Sequence, residues 1–169
     1  MDYKNFVRSL ELPAGFVAPA EFRYEDITAR AIGRADLVAD VKGINASIDI
    51  IRRTRGGDWP SGPVSEDFNY VDLVWHELEF RENYSFAYAV YHADGRYLGC
   101  CYLYPMGRRT PLDDELLAHD VDVSWWVTPD AYHAGHYTTL YLALRQVIAD
   151  AFPFRNAYFS NREIPGPQA

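Results

Sequence analysis

The sequence has few cysteines and no long apolar run, and these absences narrow the possible classes of protein. Its two cysteines, Cys100 and Cys101, are adjacent. Neighbours on a strand point to opposite faces, so this pair is poorly placed to form a disulfide, and we expect two buried thiols. No apolar run is long enough to span a membrane, and the opening "MDYKNFVRSL" lacks a signal-peptide core. These features favour a cytoplasmic protein.

Basic residues are also scarce relative to acidic ones. Sixteen Lys and Arg residues stand against 24 Asp and Glu, which gives a formal net charge of −8 at pH 7. A nucleic-acid-binding surface needs clustered basic charge, so this balance disfavours one and suits a neutral or cationic partner better. What the sequence does have is apolar residues, at 49%, and 13 tyrosines, which argue against disorder. The chain length predicts a single domain over residues 1–169.

The first third of the chain predicts an irregular lead-in over residues 1–20, then one strand and two helices. The strand covers "EFRYEDITARAIG", and a helix follows over residues 34–54. Its apolar positions share one face: Leu37, Val41, Ile44, Ile48 and Ile51. After a Gly- and Pro-rich loop in which Trp59 is a candidate pocket wall, Ser65 is placed to cap the second helix. The second helix is expected to bury Phe68, Val71, Trp75 and Leu78.

The clearest local pattern is "YSFAYAVYHADGRYLGCCYLYPM". Two apolar runs flank Asp94 and Gly95, a pair that favours a two-residue hairpin turn. Both faces of each run are apolar or aromatic, as in strands covered on both sides. The pattern therefore predicts a hairpin over residues 84–104 at the centre of a sheet.

The last third predicts a strand, a helix and a second strand that together form a βαβ crossover. "DVDVSWWV" is the first strand, a helix runs from about Gly135 to Ala151, and the last strand covers residues 156–164. The predicted buried face of this helix consists of Leu140, Leu144, Val147, Ile148 and Ala151. The complete order is β-α-α-β-β-β-α-β, which predicts an α+β fold with helices on a central mixed sheet.

This order, together with "VDVSWWVTPDAYHAGHYTTL", resembles the GNAT superfamily of acyl-CoA-dependent N-acyltransferases over roughly residues 21–164. The stretch is similar to that family's strand, its "V-x-P" turn and its R/Q-x-x-G-x-G/A loop leading into a helix. The "W-W-V-x-P" motif resembles that of the family branch that acetylates ribosomal-protein N-termini and similar amines. The resemblance implies a GNAT-like fold that lacks the usual C-terminal helix and last strands. It also implies acetyl transfer from acetyl-CoA to a primary amine of a small molecule or peptide.

The resemblance also implies a set of cofactor-binding residues. Backbone groups near Val127 would bind the pantetheine arm, the amides of residues 132–137 would hold the pyrophosphate, and Asn161 would touch the arm. The complete set is Val127, Tyr132, His133, Ala134, Gly135, His136, Tyr137, Thr138 and Asn161. Gly135 matches the central glycine, so Gly135→Val is expected to abolish binding through steric block.

Two positions of this loop depart from the family pattern. Tyr132 stands at the basic or glutamine position and removes a cation from the phosphates, while Tyr137 stands at the final small position. His133 and His136 could compensate in part if they are protonated, and Thr138 could donate its hydroxyl. His133 and His136 alone predict no metal site, because no third ligand lies at ligand spacing nearby.

Two residues are candidates for catalysis. Asp122 matches a carboxylate on the family's strand and could take the proton of the amine, with an outward-facing polar residue as the alternative interpretation. The amide of Val127 could polarise the thioester carbonyl. Tyr158 is a candidate general acid, although a packing role is the more common one for a tyrosine on a strand.

Two further interpretations stay open. One is a non-catalytic GNAT-like binding or assembly module, and the other is an α+β cone or hot-dog domain that binds a small hydrophobic ligand. Acyl-CoA affinity separates the first from an enzyme, and strand order tests the second. The 156–164 strand with Tyr158 and Phe159 would expose an apolar edge, which predicts a homodimer that covers it.

Overall fold

Six strands form one sheet, in the order β1-β2-β3-β4-β5-β6, in the computed structural model, which describes residues 7–167. Every neighbouring pair is antiparallel except β5 and β6, which are parallel. The strands are β1 Glu21–Tyr24, β2 Ile27–Ala31, β3 Phe86–His92, β4 Tyr97–Tyr104, β5 Val121–Val127 and β6 Ala157–Phe159. The helices are α1 Leu37–Asn45, α2 Ile48–Thr54, α3 Glu66–Arg81, α4 Pro129–His133 and α5 His136–Ala151.

The predicted central hairpin is confirmed. Strands β3 and β4 occupy the third and fourth places of the sheet, and Gly95 takes a φ of 92° in the turn that joins them. Nearly every residue of both strands is buried, since helices cover both faces of the sheet. The predicted strand beside the hairpin is β5, and all seven of its residues are buried.

Two apolar layers lie on opposite faces of the sheet. Helix α5 covers one face, where Leu140 and Leu144 pack with Trp125. Helices α1, α2 and α3 cover the other face, where Trp126 packs with side chains from all three. The adjacent thiols of Cys100 and Cys101 fall in different layers and both are free and buried, as the sequence predicts.

The predicted strand at residues 21–33 and the predicted helix at residues 34–54 are each divided in two. Glu25 takes a φ of 49° and turns the chain, so β1 and β2 form a hairpin instead of one strand. The helix breaks between α1 and α2 at Ser47, whose φ of −125° is not helical, and the last residue of α1, Asn45, pairs with the backbone of Val64. Asn45 accepts a hydrogen bond from the Val64 amide at 2.8 Å and donates one to the Val64 carbonyl at 3.0 Å. The lead-in is irregular over residues 7–20, and its first six residues lie outside the described part of the chain.

The predicted cap of α3 is confirmed, but the predicted buried face is wrong. Ser65 Oγ accepts a hydrogen bond from the Phe68 amide at 3.2 Å. Phe68 and Trp75, however, are 68% and 56% exposed. The helix instead turns Leu73 and Asn69 inward, and Asn69 donates a 2.7 Å hydrogen bond to the buried carboxylate of Asp40 on α1.

The last strand is shorter than predicted and α4 was not predicted at all. Strand β6 ends at Phe159, after which the amides of Arg162 and Glu163 donate to the carbonyls of Arg55 and Thr54. The segment after β6 therefore leaves the sheet and joins the end of α2. Helix α5 matches its prediction closely, except that Ala151 is exposed. Among residues 7–167, no helix is both long enough and apolar enough to cross a membrane.

Candidate functional site

The candidate site is the corner where β5 turns through α4 into α5. Thr128 Oγ1 accepts a hydrogen bond from the Ala131 amide and caps α4, whose first residue is Pro129. Gly135 then takes a φ of 92° and redirects the chain into α5. A cavity of about 370 Å³ lies against this corner, lined by Tyr132, Gly135, Tyr137, Thr138 and residues 163–166.

Gly135 is needed for its backbone conformation and not for space. A Cβ atom on this residue would meet nothing within 4 Å, but its positive φ is one that residues with side chains rarely adopt. Strain of the turn is therefore one physical reason for a glycine here, and the steric block of acetyl-CoA expected for Gly135→Val stays a prediction, since Gly135 lines the cavity.

The amides available to an anion lie slightly later in the chain than expected. Those of Tyr132, Ala134 and Gly135 already donate to the carbonyls of Thr128, Asp130 and Tyr132, so these three of the amides expected to hold the pyrophosphate are not free to do so. The first amide of α5 bonded within its own helix turn is that of Thr139. The three amides of residues 136–138 precede it and form the helix N-terminus, where an anion is favoured.

Tyr137 fills the gap between β5 and the segment that follows β6. Its ring lies 5.1 Å from the ring of Trp125, and its hydroxyl donates to the Glu163 carbonyl at 2.5 Å. Burial raises the pKa of Tyr137, so the hydroxyl stays neutral and serves as a donor. The side chain thus occupies space that a smaller residue at this position would leave to a ligand.

Asn161 closes the same gap from the other side. Its Oδ1 accepts from the Trp125 amide at 3.1 Å, and its Nδ2 donates to the Trp125 carbonyl at 2.9 Å and to the Tyr137 hydroxyl at 2.8 Å. Asn161 is buried, and its side-chain amide makes hydrogen bonds to the backbone of β5 beyond the point where β6 ends. Trp125 and Val127 present their backbone groups to this side, since alternate residues of a strand do so.

Two charged residues at this corner were missed by the sequence analysis. The guanidinium of Arg53, on α2, lies 5.0 Å from the ring centre of Tyr132 and supplies a cation from a distant part of the chain. Glu163 Oε1 accepts from the Tyr132 hydroxyl at 3.0 Å and lies 3.4 Å from Arg53 Nη1. Only spatial proximity identifies either residue, because neither belongs to the strand–turn–helix motif.

The two loop histidines do not line the cavity. His133 is exposed, and Ala134 beside it is exposed as well. His136 is buried, and its Nε2 lies 3.2 Å from Asp26 Oδ2, on the far side of the helix start. The cation that lies beside Tyr132 in this structure is therefore Arg53 and not His136.

Asp122 lies on the opposite face of β5, toward α1, α2 and α3. Its carboxylate is fully buried and accepts from Thr110 Oγ1 at 3.0 Å and from Ser160 Oγ at 2.5 Å. Burial raises the pKa of Asp122, although these hydrogen bonds and the nearby Arg109 and Arg55 oppose the shift. Asp122 lines none of the cavities described here, so a proton would have to reach it through a neighbouring hydroxyl.

A second cavity, of about 210 Å³, lies on this face beneath the loop that carries Trp59. Its lining is Arg55, Trp59, Asp72, His76, Tyr102 and Tyr104. Arg55 connects it to β5, since its Nε donates to Ser124 Oγ at 3.1 Å. Burial, with the charge of Arg55, lowers the pKa of Arg109 to about 10.

Tyr158 is placed as a packing residue. Its ring lies 5.2 Å from the ring of His119 and packs against the apolar cluster of Met106, Leu112 and Leu116. Another cavity, of about 640 Å³, lies between α1 and α4 and is lined by none of the predicted site residues. The structure thus brings Tyr132, Tyr137, Thr138 and Asn161 together, and separates them from Asp122 and Tyr158.

Comparisons with known proteins place the fold of this chain among those of acetyltransferases. No protein-family model matches the chain. No curated protein matches it either. Among solved structures, RimJ of Mycobacterium smegmatis in complex with CoA-disulfide matches with a TM-score of 0.62 and 13% identity, over 87% of this chain and 68% of that one. The microcin C7 self-immunity acetyltransferase MccE, in complex with acetyl-CoA and AMP, matches with a TM-score of 0.59 and 13% identity, over 79% and 69%.

A third solved acetyltransferase structure matches at similarly low identity. The ribosomal-protein-S5-alanine acetyltransferase of Vibrio fischeri matches with a TM-score of 0.56 and 10% identity, over 78% of this chain and 68% of that one. The chain thus spans about two thirds of the length of these structures. The strand order and the parallel β5–β6 pair agree with the predicted class and not with a cone or hot-dog domain. The chain has the α+β fold of the GNAT acetyltransferases.

Proposed function

We propose that this protein is an N-acetyltransferase that transfers an acetyl group from acetyl-CoA to a primary amine of a peptide or small molecule. The observation that carries the proposal is the corner formed by β5, α4 and α5, with a cavity against the start of α5. Solved proteins of the same fold are bound to CoA or acetyl-CoA, which supports this choice of co-substrate. The proposal includes a cytoplasmic location, which suits two reduced, buried thiols.

The residues of the corner have distinct roles in this proposal. The first-turn amides of α5 and the hydroxyl of Thr138 hold the pyrophosphate, with the helix dipole favouring its charge. Arg53 provides a cation nearby. The amide of Val127 polarises the thioester carbonyl, where negative charge develops as the amine attacks.

The transfer itself needs one proton removed and one delivered. The amine nitrogen forms a bond to the acetyl carbon while the carbon–sulfur bond breaks, and CoA leaves as a thiolate that takes a proton from water. Asp122 accepts the proton of the amine through Ser160 Oγ, which lies 2.5 Å from its carboxylate. A carboxylate with a raised pKa is a stronger base than an exposed one, which suits Asp122 to this role.

The non-catalytic alternative is favoured by the filled gap beside β5. The pantetheine arm can bind along Trp125 and Val127 only if Asn161 gives up its hydrogen bonds to the Trp125 backbone. A chain in which Asn161 and Tyr137 stay in place would keep the fold without binding the cofactor.

Calorimetric titration with acetyl-CoA and a thiol-release assay with amine acceptors separate the two functions. An enzyme gives saturable binding and thiol release that depends on a peptide or small amine. A binding module gives no thiol release with any acceptor. The absence of binding at millimolar acetyl-CoA would rule out the enzyme.

We expect Glu163→Gln to strengthen the binding of acetyl-CoA. Glu163 lines the cavity and places a carboxylate near the site proposed for the pyrophosphate. Its side chain is 37% exposed, so solvent screens the repulsion, and we expect a dissociation constant lower by about 3- to 5-fold. Calorimetry at fixed ionic strength measures the change. Glu66→Gln, on the exposed first turn of α3, is the matched control and should change nothing. An unchanged or weaker affinity for Glu163→Gln would place the pyrophosphate elsewhere.

We further propose that the protein forms a homodimer at the β6 edge. Strand β6 is the last strand of the described sheet and pairs with β5 alone, so one backbone edge is open. The apolar edge expected from Tyr158 and Phe159 is not exposed, since both rings pack within their own chain, so a second copy would pair with the open backbone edge of β6. Equilibrium sedimentation at micromolar concentration should give twice the 19.4 kDa of one chain. A monomer throughout this range would contradict the dimer.

A further inference from the structure

Three elements that are far apart in the sequence bring an aspartate and two histidines together beside the start of α5. Asp26 lies in the turn between β1 and β2, His92 ends β3, and His136 is the first residue of α5. The backbone supports the arrangement, because the Ala93 amide donates to the Asp26 carbonyl at 2.8 Å. The cluster therefore rests on rigid, paired elements and not on one flexible loop.

The side chains converge on one point. His92 Nε2 lies 3.1 Å and His136 Nε2 lies 3.2 Å from the same atom, Asp26 Oδ2. One ligand atom from each residue lies within 4.8 Å of the others. Ligands about 2.1 Å from a common metal ion are separated by about 3.0–3.4 Å in octahedral or tetrahedral geometry. The two measured nitrogen–oxygen distances fall in this range.

The histidines are held in the orientation that a metal site needs. His92 Nδ1 accepts a hydrogen bond from the Asp94 amide at 3.2 Å and lies 3.0 Å from Asp94 Oδ1, and these two contacts hold the ring with Nε2 facing the cluster. The side chain of His136 is only 9% exposed, and its buried Nδ1 has no hydrogen-bond partner among residues 7–167. Its one polar contact is thus directed at Asp26.

We propose that Asp26, His92 and His136 bind a divalent transition-metal ion such as Zn²⁺. Two imidazole nitrogens and one carboxylate oxygen form a donor set that zinc uses when it keeps an open coordination position. The exposed side of the cluster is Asp26, whose side chain is 48% exposed and gives an ion access from solvent. His133 does not join His136 in this cluster and is exposed to solvent. The other two ligands of His136 come instead from Asp26 and His92.

A bound ion would join the β1–β2 turn and the end of β3 to the first residue of α5. His136 immediately precedes Tyr137, which fills the gap beside β5. The ion would therefore restrain the start of the helix whose first-turn amides form the proposed anion site. This role is independent of whether acetyl transfer occurs.

Titration of Zn²⁺ alone into chelator-treated protein without a histidine tag tests the site. We expect saturable binding of one ion per chain and a higher melting temperature in its presence. Co²⁺, bound in place of zinc, should give visible absorption bands that reveal nitrogen and oxygen coordination. His92→Ala and His136→Ala should each raise the dissociation constant for zinc by about 100-fold or more, and Asp94→Ala by about 10-fold.

His133→Ala is the matched control, because it removes an exposed histidine three residues from His136 and should leave zinc binding unchanged. Circular dichroism of each metal-free variant separates loss of binding from loss of folding. Asp26→Asn keeps the size of the turn residue and should still weaken zinc binding. The proposal is overturned if the parent protein shows neither saturable zinc binding nor cobalt absorption. It is also overturned if binding survives both His92→Ala and His136→Ala, or is lost in His133→Ala.

Discussion

Replacing Gly99 with alanine is expected to lower the free energy of unfolding by about 2–5 kcal/mol, from backbone strain and steric overlap together. Gly99 lies on β4 with a φ of 155°. A Cβ atom here would overlap the Trp126 carbonyl oxygen and lie 2.8 Å from Val127 Cα, both on the backbone of β5. Backbone atoms of a central strand cannot move aside as a flexible side chain can. Urea unfolding measured by circular dichroism gives the change.

Gly62→Ala is the control for the Gly99 prediction. A Cβ atom on Gly62 meets nothing within 4 Å, and we expect a change within about 0.5 kcal/mol. The larger effect at Gly99 also reaches the candidate site, since Gly99 is paired with Val127 in the register of β4 and β5. A Gly99→Ala protein as stable as the parent would mean that the two strands are further apart than described here.

Replacing Asp122 with asparagine is expected to lower kcat by about 100- to 10,000-fold, the usual contribution of a general base. Asparagine keeps the shape of the side chain, and the hydroxyls of Thr110 and Ser160 can accept as well as donate, so the hydrogen bonds can be retained. Thiol release from acetyl-CoA, with an amine acceptor in excess, measures the rate. A variant with normal kcat would remove Asp122 from the mechanism.

Stability and pH dependence separate a catalytic role of Asp122 from a structural one. Because its pKa is raised in the folded protein, the folded state favours the protonated carboxyl, and the stability this contributes is lost as the pH rises through the folded pKa. Asp122→Asn should therefore be at least as stable as the parent at neutral pH. The rate should depend on the deprotonated carboxylate of Asp122. The kcat/KM of the parent should therefore fall as the pH drops below the pKa of Asp122, which is higher than the pKa of an ordinary aspartate.

Local signals in the sequence were reliable where the interacting groups are close together in the chain. The turn at Asp94 and Gly95, the Ser65 cap and strand β5 all depend on residues a few positions apart, and each was predicted. The apolar spacing of α3 predicts the wrong buried face, since Phe68, Val71 and Trp75 are exposed. The helix instead buries Asn69, whose hydrogen-bond partner Asp40 lies 29 residues away in the sequence.

In the candidate site, too, the sequence predicts the features that depend on neighbouring residues and not those that depend on distant ones. The motif over 121–138 located the strand, the glycine turn and the start of α5, and so placed Tyr137 and Thr138 at the cavity. It did not reveal α4, whose hydrogen bonds use amides that were expected to be free. Nor did it reveal that Arg53 and Glu163 bring opposite charges to the cavity, since both arrive from other parts of the chain.

By itself, the sequence determined the class of this protein: its hydrophobic periodicity and turn residues specify a mixed sheet with a βαβ unit, because strand, helix and turn preferences act over a few residues. Only the tertiary structure decided which side chains meet. The hydrogen bonds of Asn161 to Trp125 and the convergence of Asp26, His92 and His136 join residues 36 to 110 positions apart. Such contacts form only when the sheet and its helices are packed, and no local pattern encodes their distance.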